Sequence, residues 1–169
     1  MNRMSRRACL DGLVLTLLVG LAGACRSSRE WTVVSRSAAR DMTRPCSRRF
    51  PEELTGYWRP GHDDIARAER ALPRAIDIAY AELRASGENA RRPKPYWRQY
   101  AGFFRGGKRV VYVHAIGDPF PEEGWPSDYI RVCDGWISSF GAVYDPAADA
   151  FDSLEFNGSL PIPPPPPPR

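Results

Sequence analysis

An α+β fold, with one Pro-kinked helix packed on a four-stranded antiparallel meander, is what the sequence predicts, and three observations carry that expectation. Ile65, Ala68, Leu72, Ile76, Ala79 and Leu83 recur at the spacing of a single helical face. From Tyr96 onward the residues turn aromatic and β-branched, as strands require. Between two of those runs, Arg105-Gly106-Gly107-Lys108 places paired glycines where a tight hairpin needs positive φ values. One helix followed by strands that pair in succession makes two layers, helix over sheet.

Ahead of this domain, Arg3, Arg6 and Arg7 precede an uncharged run from Gly12 to Ala24. A basic start, a short apolar core and small residues before a cut point form a secretory signal, and the run is too short to span roughly 30 Å of hydrocarbon. Residues 1–24 are therefore expected to be a signal peptide. Leu21-Ala22-Gly23-Ala24-Cys25 resembles the lipobox of bacterial lipoprotein precursors. That resemblance implies that Cys25 is acylated and becomes the first mature residue. It also implies a membrane partner, and Arg26 in place of an Asp implies the outer membrane, facing the periplasm. Cleavage after Ala22 or Ala24 to release a soluble protein is the alternative, and an Arg-rich organelle transit peptide is another. Ser5-Arg6-Arg7-Ala8-Cys9-Leu10 resembles a twin-arginine export motif, so the export route stays open.

The remaining 145 residues suit one domain with a real core. With Cys9 removed and Cys25 lipidated, Cys46 and Cys133 remain as an even pair in an oxidising compartment and are read as a disulfide. In the chain-entropy model a bridge closing so long a loop contributes about 4 to 5 kcal/mol. The alternative is a thiol nucleophile at Cys133, but no His or Asn pattern of a cysteine hydrolase accompanies it. Charge is uneven along the chain. Residues 26–60 hold eight Arg against four acids, while 110–160 hold only Arg131 against nine Asp and Glu. A basic N-terminal half suits anionic headgroups, a solvated surface being the alternative, and no nucleic-acid-binding framework is present.

Residues 25–49, rich in Ser, Arg and Thr, read as lipid anchor and flexible tether, with Trp31, Val33 and Val34 as a short strand or rim contact. The globular domain is expected over 50–159. Within it, 51–60 read as loop with Tyr57 and Trp58 as core or rim aromatics, and 63–86 as the main helix. Asp63 and Asp64 suit its start and Gly87 its stop. Pro73 predicts either a kink or two consecutive helices, and Arg67, Arg70, Arg74 and Arg84 fall on the polar side. Strands follow at 96–104 and 109–116, then a loop at 118–128, a short extended piece at 129–133, and strands at 136–144 and 151–157 around the turn at Asp145–Asp149. Six consecutive prolines make 160–169 a polyproline tail.

Helix-then-meander order resembles the cystatin-like fold over about residues 63–157, an architectural likeness that carries no function by itself. The strings Arg98-Gln99-Tyr100-Ala101-Gly102-Phe103, Val132-Cys133-Asp134-Gly135, Gly141-Ala142-Val143-Tyr144-Asp145 and Phe156-Asn157-Gly158 are also similar to an uncharacterised group of bacterial lipoproteins, which has no activity to lend.

Chemistry is sparse. His62 beside Asp63 and Asp64, with His114 far along the chain, lacks the helical partner spacing of a metal site. Asp118, Glu122, Glu123 and Asp128 lack the Asp/Asn alternation and central Gly of a calcium loop. No nucleophile elbow, phosphate loop or dinucleotide fingerprint occurs, so no catalytic residue and no cofactor is expected. Trp125, Tyr129 and Trp136 flank the acidic loop as a candidate binding rim, or else fill a small core. The expected function is a membrane-anchored, non-catalytic module of the bacterial cell envelope that binds an envelope protein or polymer. One alternative is a cystatin-like protease inhibitor. Such inhibitors present Gln-x-Val-x-Gly on a hairpin, whereas Gln99-Tyr100-Ala101-Gly102 is one residue short and precedes the turn. The other alternative is a small periplasmic hydrolase using acids of the 118–134 region.

Overall fold

The computed structural model describes residues 30–91, 96–117, 125 and 127–158. In chain order these form β1 (Trp31–Val33), α1 (Arg36–Met42), β2 (Leu54–Trp58), α2 (His62–Ala85), β3 (Trp97–Arg105), β4 (Lys108–Ile116), β5 (Ser139–Asp145) and β6 (Ala150–Phe156). A single 3₁₀ turn, Trp136–Ser138, leads into β5. The fold is α+β, as its sequence pattern indicates.

The sheet departs from a four-stranded meander. It has six strands in the order β1-β3-β4-β5-β6, with β2 also paired to β3. β3 to β6 form the expected antiparallel series. Along the far edge of β3, β1 pairs in parallel with Arg98–Tyr100 while β2 pairs antiparallel with the Gly102–Arg105 half. The sheet is therefore mixed. The stretch read as tether is folded from Glu30 onward, because α1 buries Ala38, Ala39 and Met42 against the sheet. Its start is capped by Ser35, whose hydroxyl accepts from Ala38 N–H at 3.2 Å. Residues 51–60, read as loop, contain β2. No strand forms over 129–133, and the first three residues of the strand expected at 136–144 form the 3₁₀ turn instead.

α2 is one uninterrupted helix with Pro73 inside it, so the two-helix alternative does not form. Pro73 lies on the exposed side and has no N–H to offer the Glu69 carbonyl. Asp64 accepts from the Gly61 N–H at 2.9 Å, closing the start of the helix. At its end Glu88 N–H donates to Leu83 and Gly87 N–H to Arg84, with Gly87 at φ +90°. The apolar face, Ile65, Ala68, Leu72, Ile76 and Tyr80, packs on Tyr100, Val111, Val113, Phe140 and Tyr144. A second core on the opposite sheet face joins α1 to Ala101, Phe103, Val110, Tyr112 and Val143. Alternate residues of β3, β4 and β5 thus point into different cores, and both sheet faces are covered.

β3 and β4 meet through Gly106 and Gly107 at φ +56° and +77°, the two-residue turn expected from their sequence. Glu69 on α2 grips Arg98 on β3 through two bonds of 2.9 and 2.8 Å, and Arg98 also reaches Glu30 at 3.2 Å. The chain entering β1 is thereby tied to the middle of the domain.

Candidate functional site

On the sheet face that carries α1, Gln99, His114, Gly141 and Glu155 fall in one row across β3, β4, β5 and β6. Gly141 leaves a gap in that row, and the Arg48 guanidinium fills it. Arg48 is buried and spends all three nitrogens on neutral partners. Nε donates to the Tyr112 hydroxyl at 3.1 Å, one amino group donates to Asn157 Oδ1, and the other to His114 Nδ1 at 2.9 Å. It makes no ion pair with any described residue. A buried guanidinium is tolerated here because its hydrogen bonds are met, not because its charge is neutralised.

These partners fix the state of His114. Arg48 can only donate, so Nδ1 accepts, and the Ile130 carbonyl can only accept, so Nε2 donates to it at 2.8 Å. The ring is neutral, with burial first and the Arg48 charge second pushing its pKa down to about 3. With both nitrogens engaged and no access to water, His114 offers neither a base nor a metal ligand. Asn157 continues the network by donating to Val132 O at 2.7 Å, while Gln99 donates to Asp128 O and accepts from Ile130 N–H at 3.0 Å. The irregular segment 127–133 is held to the sheet by these bonds and to the connection between α1 and β2 by the Cys46–Cys133 disulfide, whose Cα atoms stand 5.0 Å apart. Bridged, Cys133 has no thiol to serve as a nucleophile.

The aromatic residues expected at a rim occupy separate settings. Trp125 packs edge-on against Trp97 at 6.0 Å, and Tyr129 packs on His114 at 5.1 Å with its hydroxyl buried. Trp136 is exposed at the 3₁₀ turn with φ 37°. Cys25, Asp118, Glu122 and Glu123 lie outside the described residues, as do 1–24 and 160–169. Among the described residues no three His, Cys, Asp or Glu side chains gather as a metal site would require. Gln99-Tyr100-Ala101-Gly102, set against the inhibitor motif, runs inside β3 with Gln99, Tyr100 and Ala101 buried, and so is not presented to a protease.

An open surface lies on the other side of the sheet. α2 crosses above β6, the last strand of the sheet, and leaves a cleft of about 430 Å³ lined by Arg67, Arg70, Arg74, Ile78 and Phe151. A hollow of about 190 Å³ extends it towards Glu82 and Leu154. Arg67 is engaged by Asp64 at 3.1 Å and Asp149, the one acid of the lining, accepts from the Tyr144 hydroxyl, but Arg70 and Arg74 make no ion pair with any described residue. Ile78 is 50 % exposed. The cleft therefore pairs unspent positive charge with apolar wall, next to a strand whose outer backbone edge has no partner strand among the described residues. A groove of about 470 Å³ on the α1 face has a different character, with Arg49 among Glu52, Glu53 and Glu155.

Comparison of the chain with protein-family models, with curated proteins and with solved structures gives no match. The functional reading rests on the residues themselves. The sequence places Arg67, Arg70 and Arg74 on the polar side of the helix, as either a wet face or a binding patch, and does not separate them from other arginines, because the cleft exists only where β6 returns beneath α2. Arg48 carried even less signal, being one of seven arginines in a stretch read as tether.

Proposed function

We propose that this protein is a non-catalytic, lipid-anchored module of the bacterial cell envelope, held through Cys25 at the outer membrane, whose partner surface is the cleft between α2 and β6. The observation that carries the binding surface is the juxtaposition of Arg70 and Arg74, without an ion pair among the described residues, with exposed Ile78 and with Phe151. A cleft of this kind fits an extended protein segment that brings carboxylates to the arginines and apolar side chains to Ile78. The disulfide at Cys133 and the engaged nitrogens of His114 support the non-catalytic part of the reading.

A photo-crosslinking residue at Ile78 tests it in intact envelopes. The expected result is a discrete crosslinked partner that disappears in the Arg70→Glu/Arg74→Glu variant and is not captured from Glu52 on the opposite groove. Capture that is equal at both positions, or indifferent to the two arginines, overturns the cleft as the partner surface.

A further inference from the structure

β1 begins close in sequence to the proposed anchor, and this limits where the domain can sit. Trp31 opens β1 only six residues after Cys25, and six residues reach at most about 20 Å when fully extended. An acylated Cys25 therefore leaves no room for a long spacer, and some face of the domain must rest at the headgroups. The next element after β1 is α1. Its inner side, Ala38, Ala39 and Met42, is packed on the sheet, which turns Arg36 and Arg40 outward one helical turn apart, and exposed Arg44 follows just past the end of the helix. None of these three guanidinium groups makes an ion pair with a described residue. Asp41, the one acid of α1, is turned about 100° round the helix from Arg40.

We propose that Arg36, Arg40 and Arg44 form a membrane-contact surface that seats the domain on anionic phospholipid headgroups of the leaflet that holds the Cys25 acyl chains. The inference rests on the anchored reading given above and adds which surface faces the bilayer. The acyl chains hold the protein at the bilayer, and each cation near an anionic surface adds about fivefold in affinity for it, which favours the orientation that brings these arginines to the headgroups. Glu52, Glu53 and Glu155 rim the groove on the same sheet face and are repelled by such a surface, so the contact is confined to α1 and its flank. Because α1 and α2 cover opposite faces of the sheet, this seating leaves the α2–β6 cleft directed away from the lipid.

The test uses the acylated, full-length mature protein reconstituted through its own anchor into vesicles of phosphatidylcholine, with and without phosphatidylglycerol. Accessible arginines are labelled with a guanidinium-directed reagent and read by mass spectrometry. The expected result is several-fold protection of Arg36, Arg40 and Arg44 that requires phosphatidylglycerol and is lost in high salt, while Arg70 and Arg74 stay reactive. Equal reactivity of the three in both vesicles, or protection of Arg70 and Arg74 instead, overturns the proposed surface while leaving the anchor intact. Absence of acyl mass on the Cys25 peptide overturns the anchored reading, and the surface with it.

Discussion

Arg48 lies directly over Gly141: a Cβ at position 141 would stand 2.6 Å from Arg48 Nε and closer still to the Tyr112 hydroxyl. Two side chains and a strand backbone meet at a point where only hydrogen fits. Neither neighbour can yield easily, since Arg48 is held at all three nitrogens and Tyr112 is buried under Phe50 and Phe103.

Gly141→Ala is expected to destabilise the domain by about 1 to 3 kcal/mol, the usual cost of overpacking a filled core. Urea unfolding of the oxidised protein measures it. An unchanged midpoint would show that the guanidinium can leave its seat freely.

The same network sets a pH dependence. His114 has a folded pKa of about 3 against an ordinary value near 6.5, so below about pH 6.5 the unfolded chain binds a proton that the folded chain refuses. Stability is then full above pH 6.5 and falls as pH drops from there towards 3, at up to about 1.4 kcal/mol per unit. The expected result is that denaturant midpoints decline through this window in the native protein and decline less steeply in His114→Gln. Parallel slopes for the two proteins would remove His114 as the cause. Removing Arg48 in an Arg48→Met variant is expected to raise the His114 pKa, seen by NMR titration, because one of the two influences that depress it is gone.

Residues 46 and 133 are joined across a separation of 87, a loop long enough that its closure weighs heavily on the unfolded chain. Reduction, or the Cys46→Ser/Cys133→Ser pair, is expected to cost about 4 kcal/mol, read from unfolding midpoints, and to loosen segment 127–133 first by hydrogen exchange. Two free thiols in the protein purified without reductant would overturn this pairing.

How much of this was legible depends on the length over which each pattern runs. α2 displays its apolar face over many turns, and the β3–β4 hairpin announces itself through Gly106 and Gly107, so both follow from the sequence with ends displaced by a residue or so. β1 is three residues long, too short to show an alternation. β2 is interrupted, its register shifting between Thr55 and Trp58 around Gly56 at φ +60°. α1 buries two alanines and one methionine where a sequence pattern looks for large apolar residues, and its arginines suggested a solvated tether. The cysteine pair was readable from parity together with the expectation of an oxidising compartment. Arg48 was not, because its burial depends on Gly141, Tyr112, His114 and Asn157, which the chain supplies only from the far side of the fold.

Pro73 offers a final check on how α2 is held. Its ring withholds the N–H that would meet the Glu69 carbonyl, which costs a helix interior up to about 3 kcal/mol relative to Ala. The helix nevertheless runs unbroken, since the apolar face packs on the sheet on both sides of the proline through Leu72 and Ile76 and Glu69 is locked to Arg98. Because Pro73 is exposed, replacing it removes no core contact. Ala restores the backbone bond but also frees the unfolded chain, which offsets the gain by up to about 1 kcal/mol. Pro73→Ala is therefore expected to stabilise the domain by about 1 to 2 kcal/mol and to raise its melting temperature. A loss of stability instead would mean that the backbone geometry set by Pro73 is needed to bring Glu69 and Ile76 onto the sheet together.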